Sequence, residues 1–193
     1  MAITDIDICN KALVLIGASK ISSFTEGTTE SETAQELYDE FAQELLTQYP
    51  WNFCKTQLDL GAPVSPSNDL PLTRWERAWN IPTSTLIVRT VYYADNPIDY
   101  GIMESYIFTD ADEDAELIAE VTYRPSESAW PAFFRTALEF RLASMFAGSV
   151  TGKAEFVEVM GEEYEKSLAR GRSADSQSVT ARKIRLNRFT LNR

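Results

Sequence analysis

TESETAQELYDEFAQELLTQYPWNFC, residues 29–54, decides the fold. Ala34, Leu37, Tyr38, Phe41, Leu45 and Leu46 recur at helical spacing and Tyr49 closes the series, so one face of the segment is apolar. Glu30, Glu32, Glu36, Asp39, Glu40 and Glu44 fill the opposite face. Thr29 and Glu32 stand at capping-box spacing, where hydroxyl and carboxylate each satisfy a free amide, which predicts a helix start at Thr29. Pro50 disfavours a helical Tyr49 and ends the run. Trp51 and Phe53 follow as large apolar anchors. A helix this strongly sided must bury its stripe, and it is expected at the core of a helical bundle.

Three further helices follow from the same periodicity. Thr4, with Asp7 at the capping-box position, predicts a first helix to about Ile16, with Ile8, Cys9, Ala12, Leu13, Leu15 and Ile16 inside and Gly17 as a left-handed stop. Ser128 caps an expected helix to Ala147, with Pro131 in the first turn, where the ring is tolerated. A last helix is expected from Lys153 to about Ser173, with Phe156, Val157, Val159, Met160, Tyr164 and Leu168 as its apolar residues.

Between the helical pairs, residues 55–125 read differently. Short β-branched and aromatic runs alternate with Pro, Asn, Asp and Gly. Strands are expected at 56–60, 74–80, 85–93, 106–109 and 116–123, the last two as a hairpin turned by the acidic DADEDA. The fold class is therefore α+β. A bundle of about four helices (residues 1–54 and 126–176) carries a β-rich insertion (55–125) and an extended basic C-terminal arm (177–193).

Composition narrows the chemistry. At 193 residues the chain can bury one substantial core, and no stretch reaches the roughly 18 apolar residues of a membrane span. Asp5 and Asp7 precede the first apolar run, so no signal peptide is expected. There is no histidine, which removes the commonest general base and transition-metal ligand. Cys9 and Cys54 fit no metal or redox spacing and are expected to be reduced and buried. The net charge of −11 is unevenly placed. Arg182, Lys183, Arg185, Arg188 and Arg193 stand together with no acid, leaving −16 on the first 181 residues. An acidic body with a basic tail suggests docking on an acidic partner or a neighbouring copy.

Four features could carry chemistry. Asp110, Asp112 and Asp114 have calcium-loop spacing, but Ala115 and Val121 stand where such a loop needs Gly and Glu, which favours a solvated turn. Glu158, Glu162 and Glu163 form carboxylate pairs on a Glu- and Lys-rich helix, where a solvated face is the default. Trp75, Trp79, Tyr92, Tyr93 and Tyr123, with Arg74, Arg77 and Arg89 near in sequence, could fill a small sheet's core, form a protein-binding surface or stack single-stranded bases. The basic arm could dock on protein or DNA, and the acidic body favours protein.

Joint order and spacing then suggest a family. ALVLIGASKISSFTEGTTESETAQELYDEFAQELLTQYPWNFC (12–54) resembles the opening of the head-to-tail adaptor, or head–tail connector, proteins of short-tailed bacteriophages, also called tail tubular protein A. Ile16-Gly17, Glu30 to Ala34, Tyr38-Asp39 and Pro50-Trp51 carry that likeness. WERAWNIPTSTLIVR (75–89) is similar through Trp75, Ala78, Trp79 and Pro82, although the family pattern has Tyr where this chain has Trp79. PAFFRTALEFRLASMFAGSVTGKAEFVEVMGEEYEKSLARGRSAD (131–175) resembles the closing helical pair through Phe134, Ala137, Leu142, Ala143, Ala147, Thr151, Tyr164, Leu168 and Ala169. The likeness covers about residues 2–176, and the tail beyond Asp175 matches poorly.

The resemblance implies a structural virion protein at the head–tail junction, made in the host cytoplasm, with no catalysis, cofactor, metal or membrane. Such proteins form a ring, usually of twelve copies, beneath the portal protein. They hold the tail nozzle protein, and in some phages fibres, while genomic DNA passes through the channel without specific binding. Segregated charge, and not the family likeness, makes Arg182, Lys183, Arg185, Arg188 and Arg193 the candidate portal-docking arm. An acidic body suits a channel wall that must not retain a sliding polyanion. Rivals are a connector of a long-tailed phage or gene-transfer particle, usually shorter and all helical, a nucleic-acid-binding module, and, least favoured, a carboxylate enzyme.

Overall fold

A computed structural model describes residues 3–64 and 71–178. The fold is α+β, with four helices and two antiparallel sheets among the described residues. The helices are α1 (Asp5–Leu15), α2 (Thr29–Gln48), α3 (Ala132–Phe146) and α4 (Ala154–Ser176). Between α2 and α3 run β1 (Lys55–Asp59), β2 (Arg77–Asn80), β3 (Thr85–Tyr93), β4 (Asn96–Pro97), β5 (Gly101–Met103), β6 (Tyr106–Thr109) and β7 (Leu117–Tyr123).

Local chemistry sets the helix ends. The Thr4 hydroxyl accepts the Asp7 amide at 3.2 Å, and the Asp7 carboxylate accepts the Thr4 amide at 3.0 Å, the capping box expected there. Gly17 takes φ +72° after α1. The box of α2 lies one residue earlier than the spacing predicts. Thr28 is the N-cap, and Ser31 supplies the reciprocal oxygen. Ser31 is buried, so its short hydroxyl reaches back where a glutamate side chain would need solvent. Ser128 caps no helix. It lies in a 3₁₀ turn (Glu127–Ala129), and α3 begins after Pro131. That helix runs into a wide π turn (Ala147–Thr151), closed by Gly152 at φ +64°.

Helix α3, not α2, is the hub, contacting α1, α2 and α4. Ala137, Leu138, Leu142, Ala143 and Phe146 are fully buried on it. A helix surrounded on several sides loses the one-faced pattern, which is why α2 shows the sharper stripe. Trp51 is completely enclosed at the end of α2, with Phe133 and Phe134 against its ring and its indole N–H donating to the Leu45 carbonyl at 2.7 Å. Burying an aromatic of this size removes on the order of 200 Å² from water. On α4 the inward side chains are Phe156, Met160, Tyr164 and Leu168, at four-residue steps. Val157 and Val159 are 38% and 51% exposed, and Leu15 of α1, expected inside, also faces outward.

The sheets have orders β1-β7-β3-β4 and β2-β6-β5. The expected hairpin of 106–109 with 116–123 does not form. β6 pairs with β2 and β5, whereas β7 lies between β1 and β3. The acidic stretch therefore carries the chain from one sheet to the other. Six charge-rich residues are too long for a tight hairpin turn and need not twist with the strands. Trp79 and Ile107 of one sheet meet Val88, Val91, Leu117, Ala119 and Val121 of the other in a second core. Leu86 packs instead on the helical core, and the Arg89 guanidinium donates to the Thr47 carbonyl at the end of α2. Arg124 adds a tie at the far end of β7. It reaches Asp39 of α2 at 2.8 Å and Glu127 at 3.2 Å.

Candidate functional site

Among the described residues, no three histidine, cysteine or carboxylate side chains converge as a metal site. Asp110 caps a neighbour, its carboxylate accepting the Glu76 amide at 3.0 Å, while Asp112 and Asp114 are exposed. The calcium-like spacing thus serves a connection between sheets. Cys9 and Cys54 are free and buried. Burial pushes the Cys9 thiol up to about 12 and the Cys54 thiol up to about 11, so neither is a poised nucleophile.

The α4 glutamates lie on a solvated face. Lys166 bridges Glu163 at 2.8 Å and Glu162 at 3.6 Å, and Glu158 is exposed. The hydrogen bond from Lys166 holds Glu163 below the usual carboxylate range. Paired catalytic carboxylates need unlike environments, and here a lysine neutralises one of them at the surface.

The aromatic set divides. Trp79 is fully buried in the sheet core. Trp75 is half-buried, its ring capped by the Arg74 guanidinium at 4.5 Å from the centroid, and Tyr93 is 45% exposed. These three, with Asp99 and Asp110, line an open cleft of about 490 Å³. Gly101 lets the indole in, because a Cβ there would sit 2.7 Å from Trp75 Nε1. Arg77 is spent on the Ala111 carbonyl, and Arg89 on Thr122 and Thr47. One exposed arginine flanked by two aspartates is poorly suited to a phosphate backbone, which needs clustered cations. The cleft fits the side chains of a protein partner better, since aromatics and arginine make binding anchors. Tyr93 and Trp75 were legible as candidates, but Asp99 and Gly101 gave no signal because only folding brings them to Trp75.

A second junction fixes where the C-terminal arm departs. Asp175 is 2% exposed near the end of α4, and its carboxylate oxygens accept the Asn52 amide at 3.1 and 3.0 Å. The Asn52 side chain also donates to the Asp175 carbonyl at 2.9 Å. The last turn of α4 is thereby anchored beside the start of β1. Arg182, Lys183, Arg185, Arg188 and Arg193 lie outside the described residues. No described helix is long and apolar enough to cross a membrane. No protein-family model matches the chain, and no curated protein is significantly similar to it.

Proposed function

We propose that this chain is a ring-forming head-to-tail adaptor of a short-tailed bacteriophage, non-enzymatic, joining the portal to the tail nozzle around a DNA channel. The observation that supports this reading is the division of charge. Five basic residues without an acid stand at the C-terminal end of a chain whose first 181 residues carry −16. Heterologous rings close when one patch of each copy meets a different patch of the next, and opposite charges on body and arm supply such a pair. The Asn52–Asp175 anchor suits this role, because it holds the last turn of α4, which precedes the arm, against the start of β1. In this reading the helical bundle forms the ring wall, the two sheets face outward or toward the tail, and the arm docks on the portal.

Capture of the full chain by immobilised portal rings tests the reading. Binding is expected, and a chain ending at residue 178 should lose it while keeping its helical circular dichroism. Undiminished capture without residues 179–193 would remove the arm from the portal joint.

A further inference from the structure

We infer that the outer edge of β3 is the joint between copies, taking residues 183–187 of a neighbour's C-terminal arm as an added strand. This rests on the ring reading, of which it names the contact from one subunit to the next.

The edge is incomplete. β3 is nine residues long, yet β4 pairs with it only at Tyr92 and Tyr93. The Ile98 amide covers the Val91 carbonyl at 3.0 Å, and the Tyr100 hydroxyl covers that of Arg89 at 3.1 Å. Residues 85–88 have no strand on that side among the described residues. The Thr85 amide turns back to the Pro82 carbonyl at 2.9 Å and β3 shifts register at Thr85/Ile87 and Val88/Thr90, which leaves a short, irregular edge for strand addition. A groove of about 500 Å³ runs along the same four residues, walled by Ile81, Ile87, Val88 and Ile102, with Glu104 also lining it. The Thr85 hydroxyl, also in the lining, is buried and has no hydrogen-bond partner among the described residues. A backbone group laid beside it would satisfy it.

The arm has matching chemistry. Lys183, Ile184, Arg185, Leu186 and Asn187 alternate polar and apolar side chains with the period of a strand. Ile184 and Leu186, on one face of such a strand, suit the aliphatic groove, while Lys183 and Arg185 on the other face point away from it. The four edge residues, three half-buried and Val88 buried, match a short alternating run in length. Residues 188–193 then remain for the portal.

Topology favours a second copy over the chain's own arm. The arm departs beside Asn52, at the β1 side of the sheet. Lys55, Thr122 and Ile87 are in register across β1, β7 and β3, so the groove lies on the opposite edge. The sheet is covered on one face by the other sheet and met on the other by α2. Leaving by one edge and entering by the other is the arrangement that propagates head to tail.

The full chain tests this through two variants, each breaking one half of the joint. Ile184→Asp with Leu186→Asp spoils the arm and leaves the described fold untouched. Ile102→Asp spoils the groove at a side chain 46% exposed. Sedimentation of wild type at rising concentration should show self-association, weakened about tenfold or more in each variant. Mixing the two variants should restore association, but only to dimers, because each pair retains one intact joint. In nitrogen-15 spectra, the amides of residues 85–88 should shift with wild-type concentration. Overturning results are a wild type that stays monomeric with unmoved amides, variants that associate as well as wild type, or a mixture no better than its parts. Rings that still assemble on portal from the Ile102→Asp chain would sink the joint while leaving the ring reading intact.

Discussion

Asn52 presents its backbone amide to the Asp175 carboxylate, 3.1 and 3.0 Å from the two oxygens, across 123 positions of sequence. The pair closes the helical bundle at the point where the β-rich segment begins. Asp175→Ala leaves that amide unpaired in a nearly closed site and should cost about 1–3 kcal/mol in urea unfolding. The pH dependence has a definite sign. Burial raises the Asp175 carboxyl above its ordinary value, while the Asn52 amide pulls the other way. A carboxyl raised by folding contributes most below the unfolded value and less as pH climbs through the folded one. The stability difference between wild type and Asp175→Asn should therefore move in favour of wild type as pH falls. Unfolding curves for both chains at neutral and mildly acidic pH read this directly, and movement the other way would contradict it.

The cap of α2 separates two neighbouring threonines. Thr28 accepts the Ser31 amide, and Ser31 answers to the Thr28 amide at 3.1 Å. Thr28→Ala should lose about 1 kcal/mol, whereas Thr29→Ala, inside the first turn, should change stability little. Thermal or urea unfolding of the two variants decides it. Equal losses would return the cap to Thr29.

Both thiols should be silent in the native chain. The reactive species is the thiolate, and burial holds both groups well above neutral pH. A chromogenic disulfide reagent at mildly alkaline pH should titrate neither Cys9 nor Cys54 until denaturant is added, when two thiols per chain should appear. Prompt reaction in the folded chain would contradict the enclosure described here.

Gly101 is required by its neighbour. A methyl at this position would lie 2.7 Å from Trp75 Nε1, so Gly101→Ala must push the indole out of its seat. The overpacking should cost about 1–3 kcal/mol. In proton–nitrogen spectra the Trp75 indole signal should move, while those of Trp51, Trp79 and Trp130 stay in place.

The parts of the fold legible in sequence are those set by periodicity and local caps. The α2 stripe, the Thr4–Asp7 box and the strand at 85–93 are properties of neighbouring residues, and each forms where its pattern predicts. Pairing was not legible. Strands 106–109 and 116–123 are adjacent in sequence, but Trp79 and Ile107 bury more by facing the other sheet, so the chain crosses over instead of turning back. The centrality of α3 was hidden for a related reason, because a helix enclosed on several sides shows no sided pattern. At the candidate surfaces, Trp75 and Tyr93 stood out as aromatics, whereas Asn52 with Asp175 and Gly101 with Trp75 exist only through long-range contacts. Asp110 had the spacing of a metal ligand, and its carboxylate is taken by the Glu76 amide.

Electron microscopy of the purified chain mixed with its portal rings tests the central proposal most directly. A closed ring of this chain on the portal, coaxial with the portal bore, is the predicted result. Portal rings left bare at saturating concentrations of a folded, full-length chain would contradict it.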